Sequence, residues 1–208
     1  MIGGRDLRAA LRLIAITDGI ADGVDGLAGR AAAAVRGGAT MVQLRLKAAD
    51  ARVLAEVTRR LVRDLTVPVV VNDRVDVAIA AGAAGVHVGI DDIPVAAVRR
   101  IVPEGFVVGA SFGSDEEREN ASSADYVGIG PVFGTRSKED AGAAIGVAGF
   151  TSLRSKISLP AVGIGGVSSS NAGSVVRAGA AGVAVIAGIF GSSDPEAAAR
   201  AMIAAMNE

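Results

Sequence analysis

The chain contains no cysteine and no tryptophan, and only one tyrosine and one histidine among 208 residues. Without cysteine there are no disulfides and no thiolate metal sites, and the redox compartment is left open. Aromatic residues make up 3% of the chain, too few for a surface on which nucleic-acid bases stack. Neither sign of charge is in excess: 21 Lys and Arg against 22 Asp and Glu give a formal net charge of −1. No broad basic field therefore draws in a phosphate backbone, although a few local cations would suffice for a small anion. Long apolar runs are missing as well. The uncharged stretches Ile157–Val176 and Ala178–Ser193 are broken by Gly and Ser, and neither reads as a membrane span. Met1 to Asp6 carries no apolar signal core. These absences predict a soluble, cytoplasmic protein with neither nucleic acid nor membrane as partner, and they leave homo-oligomer formation open.

Half of the residues are hydrophobic, enough for one sizeable core, and the length suits one domain better than two. Short β-branched runs alternate with longer helical patterns. The runs are Leu13–Thr17, Thr40–Leu44, Pro68–Val71, Gly85–Val88, Phe106–Ala110, Tyr126–Ile129, Ala161–Ile164 and Gly182–Ile186. Several, such as Pro68 to Val71, lack polar alternation, as strands of a parallel sheet covered on both faces do. Helical spacing predicts helices over Asp50–Leu65, Arg74–Ala81, Ser114–Ala121, Ser169–Ala178 and Pro195–Met206. Asp50 and Asp194 stand at capping positions, with Pro195 at a first helical position. Gly-Ala pairs at 38–39, 82–83 and 179–180 precede strands, where glycine serves as a left-handed helix stop. Eight such units of roughly 20–30 residues predict a single (β/α)8 TIM barrel over residues 1–208. A doubly wound open sheet is the fold-level alternative.

In such a barrel, chemistry collects at the C-terminal strand ends. After strand two, alternation turns Gln43, Arg45 and Lys47 to one side, and an amide with two cations there suits a phosphate or diphosphate; the same pattern reads equally well as a polar strand end followed by solvated charges. Strand three ends in Asn72-Asp73, and strand four leads through His87 to Asp91-Asp92. A pair of carboxylates beside cations suits Mg²⁺, which takes a couple of carboxylates together with water and substrate phosphate oxygens. Asp73 and Asp92 read equally well as caps for the helices that follow. His87 reads as a hydrogen-bonded filler of the barrel mouth. Ser111 ends strand five, and with one histidine in the chain no acid–histidine partnership activates it as a nucleophile. After strand six, Gly134-Thr135-Arg136-Ser137-Lys138 places two hydroxyls and two cations on a glycine-containing loop that runs to about Gly146, a pattern for an anion clamp or lid. Gly163-Ile164-Gly165-Gly166 and Ile186-Ala187-Gly188 end strands seven and eight, where these barrels cradle phosphate on backbone N–H groups.

These motifs resemble the thiamine-phosphate synthase family. They are Gln-x-Arg-x-Lys at 43–47, Val71-Asn72-Asp73-Arg74-Val75-Asp76, Gly85-Val86-His87-Val88-Gly89 running to Asp92, Asp125 to Phe133, Thr-x-Ser-Lys at 135–138, Gly163 to Gly166, and Gly182 to Ile186. The resemblance implies a transferase of thiamine biosynthesis that joins a hydroxymethylpyrimidine diphosphate to a thiazole phosphate with loss of pyrophosphate. It implies that Gln43, Arg45, Lys47 and Asn72 hold the pyrimidine diphosphate, with Leu44 and Leu46 as part of the same substrate-contacting run. It further implies Asp73 and Asp92 as Mg²⁺ ligands, and Ser111 and Lys138 against the departing pyrophosphate or its pyrimidine. Thr135, Arg136, Ser137, Gly166, Ile186 and Ala187 would receive the thiazole phosphate. Arg45, Lys47, Ser111 and Lys138 are the expected catalytic groups. Three positions depart from the family pattern: Ile90 stands in place of Gln, Phe112-Gly113 in place of a small or polar residue and His, and Ala187 in place of Ser. The alternatives are a non-catalytic binder of thiamine phosphate or a precursor, and the related thiazole tautomerase.

Overall fold

Every strand of the computed structural model is four or five residues long and follows a strict inside–outside alternation. The structure describes residues 4–135 and 142–208. In chain order the elements are α1 Gly4–Ala10, β1 Leu13–Ile16, α2 Gly23–Arg36, β2 Met41–Leu44, α3 Ala51–Asp64, β3 Val69–Asn72, α4 Val75–Ala80 and β4 Gly85–Val88. They continue with α5 Val95–Arg99, β5 Val107–Ser111, α6 Arg118–Ala121, β6 Tyr126–Ile129, α7 Gly146–Ser155, β7 Ala161–Ile164, α8 Ala172–Arg177, β8 Gly182–Val185, α9 Ala187–Phe190 and α10 Pro195–Ala205. All eight strands pair in parallel with their sequence neighbours, and β1 pairs with β8 to close the barrel. The eight predicted strands therefore stand where the sequence places them, each within a residue at either end, and the open sheet is excluded.

Alternation divides the apolar residues into two cores. Leu13, Val42, Leu44, Val71, Val86, Val108, Ile129 and Val185 face outward and are buried under the helices. Ile14, Ile16, Met41, Val70, Val107, Tyr126, Val162 and Ala184 fill the interior, and Ala10 and Leu11 pack against them from the N-terminal end. The barrel is thus stoppered below and open above. Fully burying one such aliphatic side chain contributes about 1.5–3 kcal/mol.

The interior also shows why glycine recurs in these strands. A Cβ at Gly109 would stand 2.3 Å from the Tyr126 ring, and one at Gly128 would stand 3.3 Å from His87. These two glycines clear the space that the only tyrosine and the only histidine occupy.

Helix ends follow the expected chemistry. The carboxylate of Asp50 accepts from Val53 N at 2.9 Å, and that of Asp194 accepts from Ala197 N at 2.9 Å. Gly38, Gly82 and Gly179 all have positive φ. Two predicted helices are shorter than expected. Ser114–Ala121 divides into a 3₁₀ turn over Asp115–Glu117 and α6. Ser169–Ala178 starts only at Ala172, because Asn171 commits its side chain to the loop, accepting from Ser168 N and donating to Gly166 O. Among the described residues no helix is long and apolar enough to cross a membrane.

Candidate active site

The strand ends open into one cavity of about 970 Å³, a size that suits small-molecule substrates. Its polar side is built on β2. Gln43 is buried, and its Nε2 donates to Asn72 Oδ1 at 2.9 Å, which orients both amides across the β2–β3 seam. Arg45 and Lys47 continue the same face past the strand end, and both line the cavity. Arg45 is locked at its backbone: its N–H donates to Thr17 Oγ1 at 2.9 Å and its carbonyl accepts from the same hydroxyl at 3.0 Å. Among the described residues neither Arg45 nor Lys47 has an ion-pair partner. Two cations on one wall, without an ion-pair partner among the described residues, are suited to an anion from solution.

Beside them, on the adjoining strand ends, stand the carboxylates. Asp73 is the one non-glycine among the described residues with positive φ, at 64°. Its N–H donates to His87 O at 2.8 Å, and Arg74 N donates to Asn72 O at 2.7 Å across it, which closes a tight γ-turn. Holding a non-glycine residue this way costs of order 1–3 kcal/mol, and it aims the carboxyl group into the cavity instead of along the chain. Asp92 folds back on its own loop, its Oδ2 accepting from Gly89 N at 2.6 Å. Burial and the neighbouring Asp92 push the Asp73 carboxyl up to about 6, against the opposing pull of Lys47 and Arg45. The helix-cap reading of both residues is excluded, because α4 and α5 begin after Arg74 and Pro94 with no side-chain cap on either.

Two carboxylates crowded together, with no ion-pair partner among the described residues, suit a hard divalent cation that leaves most of its coordination sphere to water and phosphate oxygens. No cluster of three or more His, Cys, Asp or Glu with metal-binding geometry exists among the described residues. Asp73 and Asp92 are therefore the candidate pair.

The floor is formed by His87, whose Nδ1 lies 3.2 Å from Tyr126 Oη with the rings tilted at 42°. The histidine is a hydrogen-bonded interior residue, as the sequence predicts. Burial drives the Tyr126 phenol far above its ordinary range, so it stays neutral and serves as a hydrogen-bonding prop. Ser111 lines the cavity beside the buried Phe112 and the exposed Gly113, and the Glu117 carboxylate accepts from Gly113 N at 2.8 Å. Ile90 stands exposed at the rim.

The far wall is backbone. Gly165 and Gly166 have φ of 91° and 62°, and a Cβ at either would lie 2.5 Å from Pro131 or Gly134. Only glycine fits, because the loop after β6 pairs against them: Val132 N donates to Ile164 O and Phe133 N to Gly165 O. Ile186, Ala187 and Gly188 complete this wall as β8 turns into α9.

Gln43, Arg45, Lys47, Asn72, Asp73, Asp92, Ser111, Thr135, Gly166, Ile186 and Ala187 thus share a single cavity. Leu44 and Leu46 do not belong with them. Leu44 is fully buried in the outer core and Leu46 packs against it, since the alternation that turns Arg45 inward turns its neighbours outward. Arg136, Ser137 and Lys138 lie outside the described residues. Thr17, Asn171 and Glu117 escaped the sequence reading. Thr17 carried the one available signal, as a hydroxyl at the end of an otherwise apolar strand.

A closed parallel barrel with cations, paired carboxylates and a glycine-built wall at its C-terminal mouth defines a (β/α)8 enzyme of the phosphate-handling class. The family described as Thiamine monophosphate synthase matches residues 13–189, and the chain belongs to that family. A thiamine-phosphate synthase of Roseiflexus sp. (strain RS-1) is 48% identical over 192 residues, covering 90% of this chain and 81% of that protein. One from Azorhizobium caulinodans is 46% identical over 197 residues, covering 92% and 93%. The solved thiamine phosphate pyrophosphorylase of Pyrococcus furiosus superposes with a TM-score of 0.84 at 34% identity over 97% of this chain and 98% of its own. The chain is an enzyme, a transferase of the pyrophosphorylase type, as these relatives are.

Proposed function

We propose that this chain makes thiamine phosphate at the cavity described above. The C–O bond between the pyrimidinylmethyl carbon and the diphosphate breaks, pyrophosphate departs with the electron pair, and the thiazole ring nitrogen captures the resulting cation. The supporting observation is the meeting of Arg45 and Lys47 with Asp73 and Asp92 on one side of a cavity whose other side is glycine backbone. Negative charge grows on the leaving group as the bond breaks, so fixed cations favour the transition state over the intact ester. Gln43 and Asn72, oriented by each other, would hold the pyrimidine diphosphate, with Ser111 beside it. Gly166, Ile186 and Ala187, with Thr135, Arg136 and Ser137, would receive the thiazole phosphate. Lys138 would meet the pyrophosphate with Arg45 and Lys47.

In this reading Asp73 and Asp92 would hold Mg²⁺, which would supply charge neutralisation for the diphosphate. No protein nucleophile is required. All the named residues belong to this one chain, which the proposal takes as a single (β/α)8 domain over residues 1–208. Both substrates are small phosphate esters, and we assign the reaction to the cytoplasm.

The test is product formation by purified protein from the two precursors. Thiamine phosphate should appear with Mg²⁺, disappear with chelator and return on adding the metal back, and Asp92→Ala should remain inactive. Binding of either precursor without product would support the non-catalytic alternative and overturn the proposal.

A further inference from the structure

Arg30, in the middle of α2, uses all five of its N–H donors. Nε and Nη2 grip the Asp22 carboxylate as a fork at 2.9 Å each, and Nη2 also donates to Gly19 O at 3.4 Å. Nη1 donates to Asp18 Oδ1 at 3.0 Å and to Phe190 O at 3.2 Å. The guanidinium lies 5.4 Å from the centre of the Phe190 ring, within cation–π range. The site is built for this purpose. Gly26 has no Cβ, and one there would stand 2.5 Å from the Asp22 carboxyl group, so the first turn of α2 is open where Asp22 lies across it. The side chain of Arg30 is only 24% exposed.

The partner that matters for function is Phe190, the last residue of α9. Helix α9 has four residues, too few to hold its own place, yet its first residues form the backbone wall of the cavity. Contacts from small residues such as Ala187 and Gly188 come from main-chain N–H groups. Their precision therefore depends on where the whole turn sits, because no side chain there can readjust. Arg30 fixes the rear of that turn to the β1–α2 loop and also satisfies a C-terminal helix carbonyl that would otherwise lack a partner.

We propose that Arg30 is a positioning residue for the thiazole-phosphate half of the site, acting through α9 with Asp18 and Asp22 as its anchors. This rests on the functional reading above and adds a residue to it that touches neither substrate. A loosened α9 weakens ground-state and transition-state contacts alike, and uniform weakening appears in KM and leaves kcat in place. In Arg30→Met, KM for the thiazole phosphate should rise about tenfold, as expected of a small displacement of binding groups, while KM for the pyrimidine diphosphate and kcat stay within about twofold of the unmodified values. Arg30→Lys keeps the charge but not the fork, and should recover part of the loss. Amides of residues 187–191 should exchange faster with solvent deuterium in both variants, and those of β2 and β3 should not.

Equal rises in both KM values, or an unchanged thiazole-phosphate KM in an active protein, would overturn the inference. The unmodified protein separates the two claims. If it forms no product, the functional reading fails, and amide exchange at 187–191 alone then decides the clamp. Should Arg30→Met not fold, Arg30→Lys carries the same comparison.

Discussion

Thr17 and Arg45 exchange two hydrogen bonds through one hydroxyl, at 2.9 Å from the Arg45 N–H and 3.0 Å to its carbonyl. Thr17 is completely buried at the end of β1, and Arg45 is the first residue past β2. The barrel thus extends its β1–β2 pairing by one side chain, just where the backbone ladder stops and the cationic wall begins. A guanidinium whose backbone is held on both sides can be aimed without an ion-pair partner among the described residues, which suits it to an anion.

Thr17→Val keeps the shape and removes both bonds. The part-buried N–H and carbonyl of Arg45 then lose their side-chain partner, at a cost of about 0.5–1.5 kcal/mol per bond, seen as a lower melting temperature. The aim of Arg45 should suffer as well, with kcat/KM falling about tenfold or more, as expected of a misplaced positioning group. A stability loss with kcat/KM unchanged would show that the Thr17 lock serves the fold alone.

Asp73 gives a pH dependence with a definite sign. Its folded value of about 6 lies above its ordinary 3.8. Between those values the metal-free folded protein holds a proton that the unfolded chain does not, so stability from this group falls as pH rises through that window. A divalent cation bound there would have to displace that proton, so Mg²⁺ affinity should be full above about pH 6 and weaken below it, by about tenfold per pH unit in the limit. Titrating Mg²⁺ into the metal-free protein at pH 7.5 and pH 5 measures this. Asp73→Asn should bind the metal more weakly and lose the pH dependence.

The glycines at 109 and 128 carry a prediction about the floor. Gly109→Ala forces the Tyr126 ring aside, and overpacking of this kind costs typically about 1–3 kcal/mol. Because Tyr126 props His87, the cavity floor should shift with it, and both stability and kcat/KM should fall. Tyr126→Phe removes only the hydrogen bond, worth about 1 kcal/mol, and should be much milder on both measures.

By contrast, Asp50→Ala and Asp194→Ala should each lower stability by about 1 kcal/mol, the usual value of a helix cap, with kcat/KM unchanged. Chemical denaturation beside a steady-state assay checks both. A loss of activity in either would mean that the helices at the outside of the barrel reach the chemistry in a way not accounted for above.

The barrel was legible because the strands announce themselves by β-branched runs and three of the helix stops by Gly-Ala pairs. Local chemistry of this sort survives folding, and Asp50, Asp194, Gly38 and Gly179 all behave as their neighbours in sequence predict. The cavity-side placement of Arg45 and Lys47 was legible from period-two alternation, and that rule properly applied also removes Leu44 and Leu46 from the cavity. What escaped depends on register across distant segments. Gly109 meets Tyr126 only because β5 and β6 pair with those residues opposite each other, and Arg30 meets Phe190 across 160 positions. The γ-turn at Asp73 escaped for another reason: an aspartate before a helix looks like a cap until its φ is known.

The central claim is that Arg45 and its cationic neighbours act on the bond-breaking step. The most direct measurement is the single-turnover rate of pyrophosphate release, in the presence of Mg²⁺ and both precursors, for the unmodified protein and for Arg45→Met. The account predicts a rate lower by about 100-fold or more, the usual effect of removing one group that stabilises developing charge, with pyrimidine diphosphate binding reduced far less. Equal release rates in the two proteins would contradict it.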